Sequence, residues 1–143
     1  MLIGEFQHNI DAKGRLTMPA KFRSDLGDRF IVTRGLDGCL FGFPMSSWDV
    51  IQDKLKELPI AKKDARSFTR FFYSAATEVE FDKQGRINLP KTLIEFAKID
   101  KECRVIGVAD RIEIWSGEQW ENFAAVAQES FEDIAEEMID FGF

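Results

Sequence analysis

Apolar and polar positions alternate through "LIGEFQHNI", residues 2–10, which is the period of a half-buried β-strand running into an Asp-led turn. A second, shorter strand is expected at Leu16-Thr17-Met18. Pro19 then opens a brief helix, "PAKFRSDLG", with Pro at its first position and Gly27 beyond its end. "RFIVTRG" and "CLFGFP" read as strands joined by the hairpin turn "GLDG". In "SSWDVIQDKLKEL" the residues Trp48, Ile51, Leu55 and Leu58 recur at helical spacing, and the leading serines are of the capping type. Pro59 ends that helix, and "AKKDARSFTRFFYSAA" predicts another, basic at Lys62, Lys63, Arg66 and Arg70 and aromatic elsewhere.

The pattern then starts again. "TEVEF" is a strand into a turn at Asp82, "RINL" a short strand and "PKTLIEFAK" a Pro-led helix. "CRVIGVA" and "RIEIW" form a second hairpin, and a longer helix follows from "SGEQW" onward. The turns make the duplication explicit. "DAKGRLTMPAKFR" and "DKQGRINLPKTLI" place Asp11, Gly14, Arg15 and Pro19 at the offsets of Asp82, Gly85, Arg86 and Pro90. Trp48 and Trp120 also correspond, 72 residues apart, so the repeat reaches the start of the closing helix. Two units are too few for a solenoid, and each is too small to bury a good core alone. The expectation is an α+β protein with a mainly β core, its halves related by a pseudo-twofold axis in a small closed or interlocked barrel with helices outside.

Composition bounds this picture. A length of 143 residues suits one modest domain or two very small ones sharing a core, and 45% hydrophobic residues with 14 Phe supply ample apolar material. No apolar run is long enough to span a bilayer, and the N-terminus lacks the features of a secretory signal, so a cytoplasmic location is expected. Cys39 and Cys103 have neither zinc spacing nor companions for a disulfide framework and read as small buried hydrophobes. The net charge of −6 hides an asymmetry. From Glu118 onward there are eight acids and no Lys or Arg, whereas the first 117 residues carry all 19 basic residues against 17 acids. An anionic partner is therefore compatible with the chain.

In the repeated phrase, Asp accepts backbone hydrogen bonds within a turn, Gly supplies a positive φ, and Pro sets the start of the next helix. Arginine is required by no turn type, yet both copies carry it directly after the glycine. It can pair with the Asp across the turn, or extend a planar fork to phosphate or to the O6/N7 edge of guanine. Lys13, Lys21 and Arg23 surround Arg15 in the sequence. Around Arg86 there remain Lys83 and Lys91, with Thr92 and Ile94 at the places of Lys21 and Arg23, so the first turn is expected to contribute more.

The doubled Asp-x-x-Gly-Arg-x-x-x-Pro phrase, with "TRGLDGCLFGFP" and "ARSFTRFFYSAATEVEFDKQGRINLP", resembles the MraZ family over nearly the whole chain. The resemblance implies fused tandem AbrB-like swapped-hairpin halves, spanning 5–47 and 76–119, followed by an acidic helix or tail over 120–143. It also implies a transcriptional regulator, a repressor of the division and cell-wall gene cluster. Such a protein binds short G-rich promoter repeats as a ring-like homo-oligomer and is associated with the nucleoid. By that resemblance Arg15 and Arg86 are the DNA-contacting arginines; their basic neighbours Lys13, Lys21, Arg23 and Lys83 are candidate supports by charge.

Other chemistry finds little footing. His8 is the single histidine and has no evident nucleophile or ligand set, so neither an enzyme nor a metal or cofactor site is expected. Phe68, Phe71, Phe72 and Tyr73 could stack bases, but at helical spacing they read as core or subunit interface. The rival reading is an antitoxin-like interaction module whose acidic tail, bearing Phe131, Ile134, Met138, Ile139 and Phe141, clasps a partner or a neighbouring subunit.

Overall fold

A computed structural model describes residues 1–142. The first half comprises β1 (Leu2–Asn9), β2 (Arg15–Thr17), α1 (Ala20–Leu26), β3 (Arg29–Arg34), β4 (Leu40–Pro44), α2 (Met45–Lys56) and α3 (Lys63–Ser74). The second comprises β5 (Thr77–Glu80), β6 (Arg86–Asn88), α4 (Lys91–Phe96), β7 (Glu102–Ala109), β8 (Ile112–Ser116) and α5 (Gly117–Glu137), closed by a 3-10 turn at Ile139–Phe141. No helix among the described residues is long and apolar enough to cross a membrane.

Six strands form one antiparallel sheet in the order β1-β7-β8-β4-β3-β5, and β2 and β6 form a separate two-stranded ribbon. The sheet reads the same from either edge, as the duplication requires. The halves trade strands: β1 lies along β7 from Leu2↔Ala109 to Asn9↔Glu102, and β5 lies along β3 from Arg29↔Glu80 to Val32↔Thr77. Each hairpin therefore receives its outer strand from the other half. The hairpins meet in the middle, where β4 pairs with β8.

Alternation along the strands divides the molecule into layers. Phe30 and Val32 of β3, and Cys103 and Val105 of β7, turn toward the ribbon, α1 and α4, where Leu16, Met18, Phe22 and Leu93 complete the main core. Ile31 and Phe43 turn the other way and are covered by Trp48 of α2 and Phe72 of α3. Trp115 and Ile106 lie with Cys39 and the half-buried Trp120 at the start of α5. Both cysteines are free and buried, and burial pushes each thiol up to about 12.

Two expectations are corrected. No closed barrel forms among the described residues: β1 and β5 remain edges, blunted by Glu5 and by the shortness and glutamates of β5. The serines of "SSW" do not cap α2, because Pro44 precedes a helix that already begins at Met45. At the equivalent place in the second half Ser116 does cap, its side chain accepting the Gln119 N–H at 3.0 Å. The long helix expected from "SGEQW" onward is α5, which starts at Gly117 and runs unbroken to Glu137. Phe143 lies outside the described residues.

Candidate nucleic-acid interface

Each repeated turn is a closed lock built by its aspartate. The Asp11 carbonyl accepts the Gly14 N–H at 3.0 Å, and its Oδ1 accepts the backbone N–H groups of Lys13 at 3.0 Å and Arg15 at 2.9 Å. Oδ2 accepts Nε of Arg15 at 2.6 Å. The second copy matches atom for atom: Asp82 Oδ1 accepts Gln84 N–H and Arg86 N–H at 2.9 Å each, and Oδ2 accepts Arg86 Nε at 2.7 Å. Pairing with the aspartate therefore leaves the second reading of the arginine open. Its Nε secures the turn, while no other hydrogen bond engages either guanidinium among the described residues, so the Nη edge remains available.

These bonds hold both aspartates below the usual carboxylate range, the backbone N–H of the following arginine being the largest cause in each. Both carboxylates are exposed, at 37% of their side-chain surface each. A depressed folded pKa contributes stability above the unfolded value of 3.8, lost as pH falls through the lower folded value. Carboxyl NMR titrations are therefore expected to give midpoints for Asp11 and Asp82 below 3.8, with the Arg15 and Arg86 amides losing exchange protection over the same pH range. Midpoints at or above that value would mean the lock is open in solution.

The glycines are needed for two reasons. Gly14 and Gly85 have φ of +82° and +76°, where a side chain is strained. A Cβ on Gly14 would also lie 2.8 Å from the Leu89 carbonyl oxygen, whereas one on Gly38, at the same φ of +82°, would meet nothing. Gly38→Ala should cost about 1–2 kcal/mol from backbone strain alone. Gly14→Ala should cost at least about 1 kcal/mol more, because a backbone oxygen must move. Denaturant melts of the two variants check this ranking; equal losses would show that the Leu89 strand yields freely.

The ribbon brings the two locks together. Arg15 pairs with Asn88, Leu16 with Ile87 and Thr17 with Arg86. Leu16 and Ile87 point inward and are 0% and 1% exposed. The outward face consequently carries Arg15, Thr17, Arg86 and Asn88, with the two arginines on a cross-strand diagonal of about 7–8 Å. A two-stranded ribbon of this width enters a major groove of about 12 Å. Thr17 and Asn88 were not singled out in the sequence; counting two residues on from each arginine places them on this face.

Lys13 and Lys83 sit exposed on the turns, and Lys21 is exposed on α1; none has an ion-pair partner among the described residues. Arg23 differs. It is half-buried, donates from Nε and Nη2 to the Met18 carbonyl at 3.2 and 2.9 Å, and its guanidinium lies directly over Gly85. Ile94, its counterpart, lies over Gly14. Arg23 thus stands beside the Arg86 turn rather than the Arg15 turn, and the second turn is not the poorer one in cations. His8 is held below its ordinary value, chiefly by burial and then by Arg23, and no cluster of potential metal ligands occurs among the described residues.

A family model described as "MraZ protein, putative antitoxin-like" matches the chain twice, over residues 1–71 and 72–142, dividing it at the repeat. The chain belongs to the MraZ family. It is 62% identical over 141 residues to the transcriptional regulator MraZ of Ligilactobacillus salivarius (strain UCC118), covering 99% of both chains. The boundary between the two MraZ units falls within α3, and the β1–β7 and β5–β3 pairings cross it. The units are therefore sequence repeats with a shared sheet.

Proposed function

We propose that this chain is a transcriptional repressor that binds double-stranded promoter DNA sequence-specifically through the outer face of the β2–β6 ribbon. The observation that carries this reading is the pair of arginines, each fixed at Nε by its turn aspartate with its outer edge free. Arg15 and Arg86 read guanine edges, Thr17 and Asn88 touch neighbouring bases, and Lys13, Lys83 and Lys21 contact phosphates. Arg23 braces the Arg86 turn. The strand exchange supports treating 5–47 and 76–119 as AbrB-like swapped-hairpin units around an open sheet. By family likeness the targets are short G-rich repeats before the division and cell-wall gene cluster, bound on the nucleoid by a ring-like homo-oligomer. A ribbon this small makes few base contacts, so repetition supplies the affinity.

The test is a DNA titration at two salt concentrations with wild type, Arg15→Ala and Arg86→Ala on the promoter region upstream of the chain's own gene. Salt-sensitive binding lost by the folded variants supports the ribbon. Undiminished binding moves the contact elsewhere. The antitoxin-like wording of the family description, together with the exposed apolar residues of α5, favours one second reading, a protein-interaction module. Absence of DNA binding by wild type would favour it.

A further inference from the structure

We propose that the acidic end of α5 in one copy of this chain docks into the basic, apolar groove between α2 and α3 of a second copy; this rests on the homo-oligomer reading above. The two halves diverge at this point of the repeat. In the first, Pro59 follows α2 and the chain turns back as α3, whose Phe72 stacks on Trp48 at 5.8 Å. In the second, Phe131 stands 72 residues after Pro59, and α5 continues straight. One half forms a helical hairpin with a groove; the other extends a helix without a partner.

The groove has a volume of about 580 Å³, with Phe43, Ile51 and Leu55 among its lining and the exposed rings of Phe68 and Phe71 at its edge. It continues past Leu55 into a second trough along the same helix pair, lined by Leu58 and Ile60. Arg34, Lys54, Lys56, Arg66 and Arg70 line the two, with no acidic residue among the lining side chains.

The α5 end is complementary. Phe131, Ile134 and Met138, spaced three and four residues apart, form one stripe along the end of α5, Phe141 follows in the 3-10 turn, and all four are exposed. Glu132, Asp133, Glu136, Glu137 and Asp140 are interspersed with them, and none has a cationic partner among the described residues. The helical stretch from Glu129 to Glu137 is about 14 Å long, and the 3-10 turn at Ile139–Phe141 extends it. An apolar helical stripe with acidic flanks fits an apolar trough with cationic walls. Within its own chain the stripe faces solvent, so the groove's occupant comes from another copy. Because donor and acceptor are different surfaces, the contact is directional and closes a ring when its rotation permits.

Light scattering on the size-separated full chain at ~0.15 M salt, near physiological screening, tests this. The groove variant is Lys54→Glu with Phe68→Glu, and the tail variant is Phe131→Glu with Ile134→Glu; circular dichroism melts check that both fold. Wild type is expected to assemble and each variant to run as a single copy. An equimolar mixture should form a pair and nothing larger, since only one intact groove meets one intact tail. Folded variants that keep the wild-type mass, or a mixture that stays single, overturn the docking site while leaving the oligomer reading standing. A wild type that is itself a single copy overturns both. If Phe68→Glu unfolds the groove variant, Lys54→Glu alone serves: reduced wild-type-like assembly at low salt supports the docking, and unchanged assembly overturns it.

Discussion

Arg15→Ala is expected to weaken promoter DNA binding by about 5- to 150-fold per ribbon, the 1–3 kcal/mol of one well-placed guanidinium fork. Arg86→Ala should fall in the same range, because its lock reproduces that of Arg15 in every bond. An oligomer presents the change once per copy, so the observed loss at repeated sites should exceed the single-ribbon figure. Lys13→Ala provides the contrast: in the proposed complex, losing an exposed phosphate contact should weaken binding to all sequences alike and reduce the salt slope by about 1. Loss of Nε also leaves Asp11 without its side-chain donor, yet its two backbone N–H donors remain. The Arg15→Ala fold should therefore survive, and its melting curve is the necessary control. An affinity unchanged within twofold for both arginine variants would remove the ribbon from the interface.

Neither unit, expressed separately as 1–71 or 72–142, is expected to exist as a folded monomer. In the first, β1 has lost β7 along all eight of its residues, and β3 has lost β5. Leu16, wholly buried against the second unit's Ile87, would face water. A chain of about 70 residues cannot offset that exposure with what core remains. Each piece should be unfolded or paired with a copy of itself, and mixing the two should restore cooperative melting. Size separation with light scattering and amide NMR spectra decide the matter; a dispersed spectrum from single-copy 1–71 would sink the expectation.

Much of this architecture could be read from local signals. Turns, Pro-led helices and alternating strands each announce themselves within about ten residues, and the repeat ties them into two equal units. Pairing partners leave no such trace. Leu2 meets Ala109 across the length of the molecule, and nothing near either residue specifies the other. The misplacement of Arg23 has the same origin: closeness to Arg15 in the chain suggested closeness in space, whereas strand exchange carries it to Gly85. The barrel expectation failed because a need to satisfy strand edges does not dictate how, and a short glutamate-bearing edge suffices. The arginines were legible because no turn requires them. Thr17 and Asn88 were not, since their distinction lies only in the face they occupy.

Those two residues carry a last consequence. A ribbon with perfect rotational symmetry presents the same chemistry when a duplex is turned end for end, and so cannot sense strand polarity. Here Arg15 has an amide across from it, on Asn88, and Arg86 a hydroxyl, on Thr17. The amide offers a donor and an acceptor side by side, and the threonine offers a methyl as well as its hydroxyl. Inverting a bound site exchanges these environments under the same pair of arginines. For the proposed complex, each recognition element would then have a head and a tail.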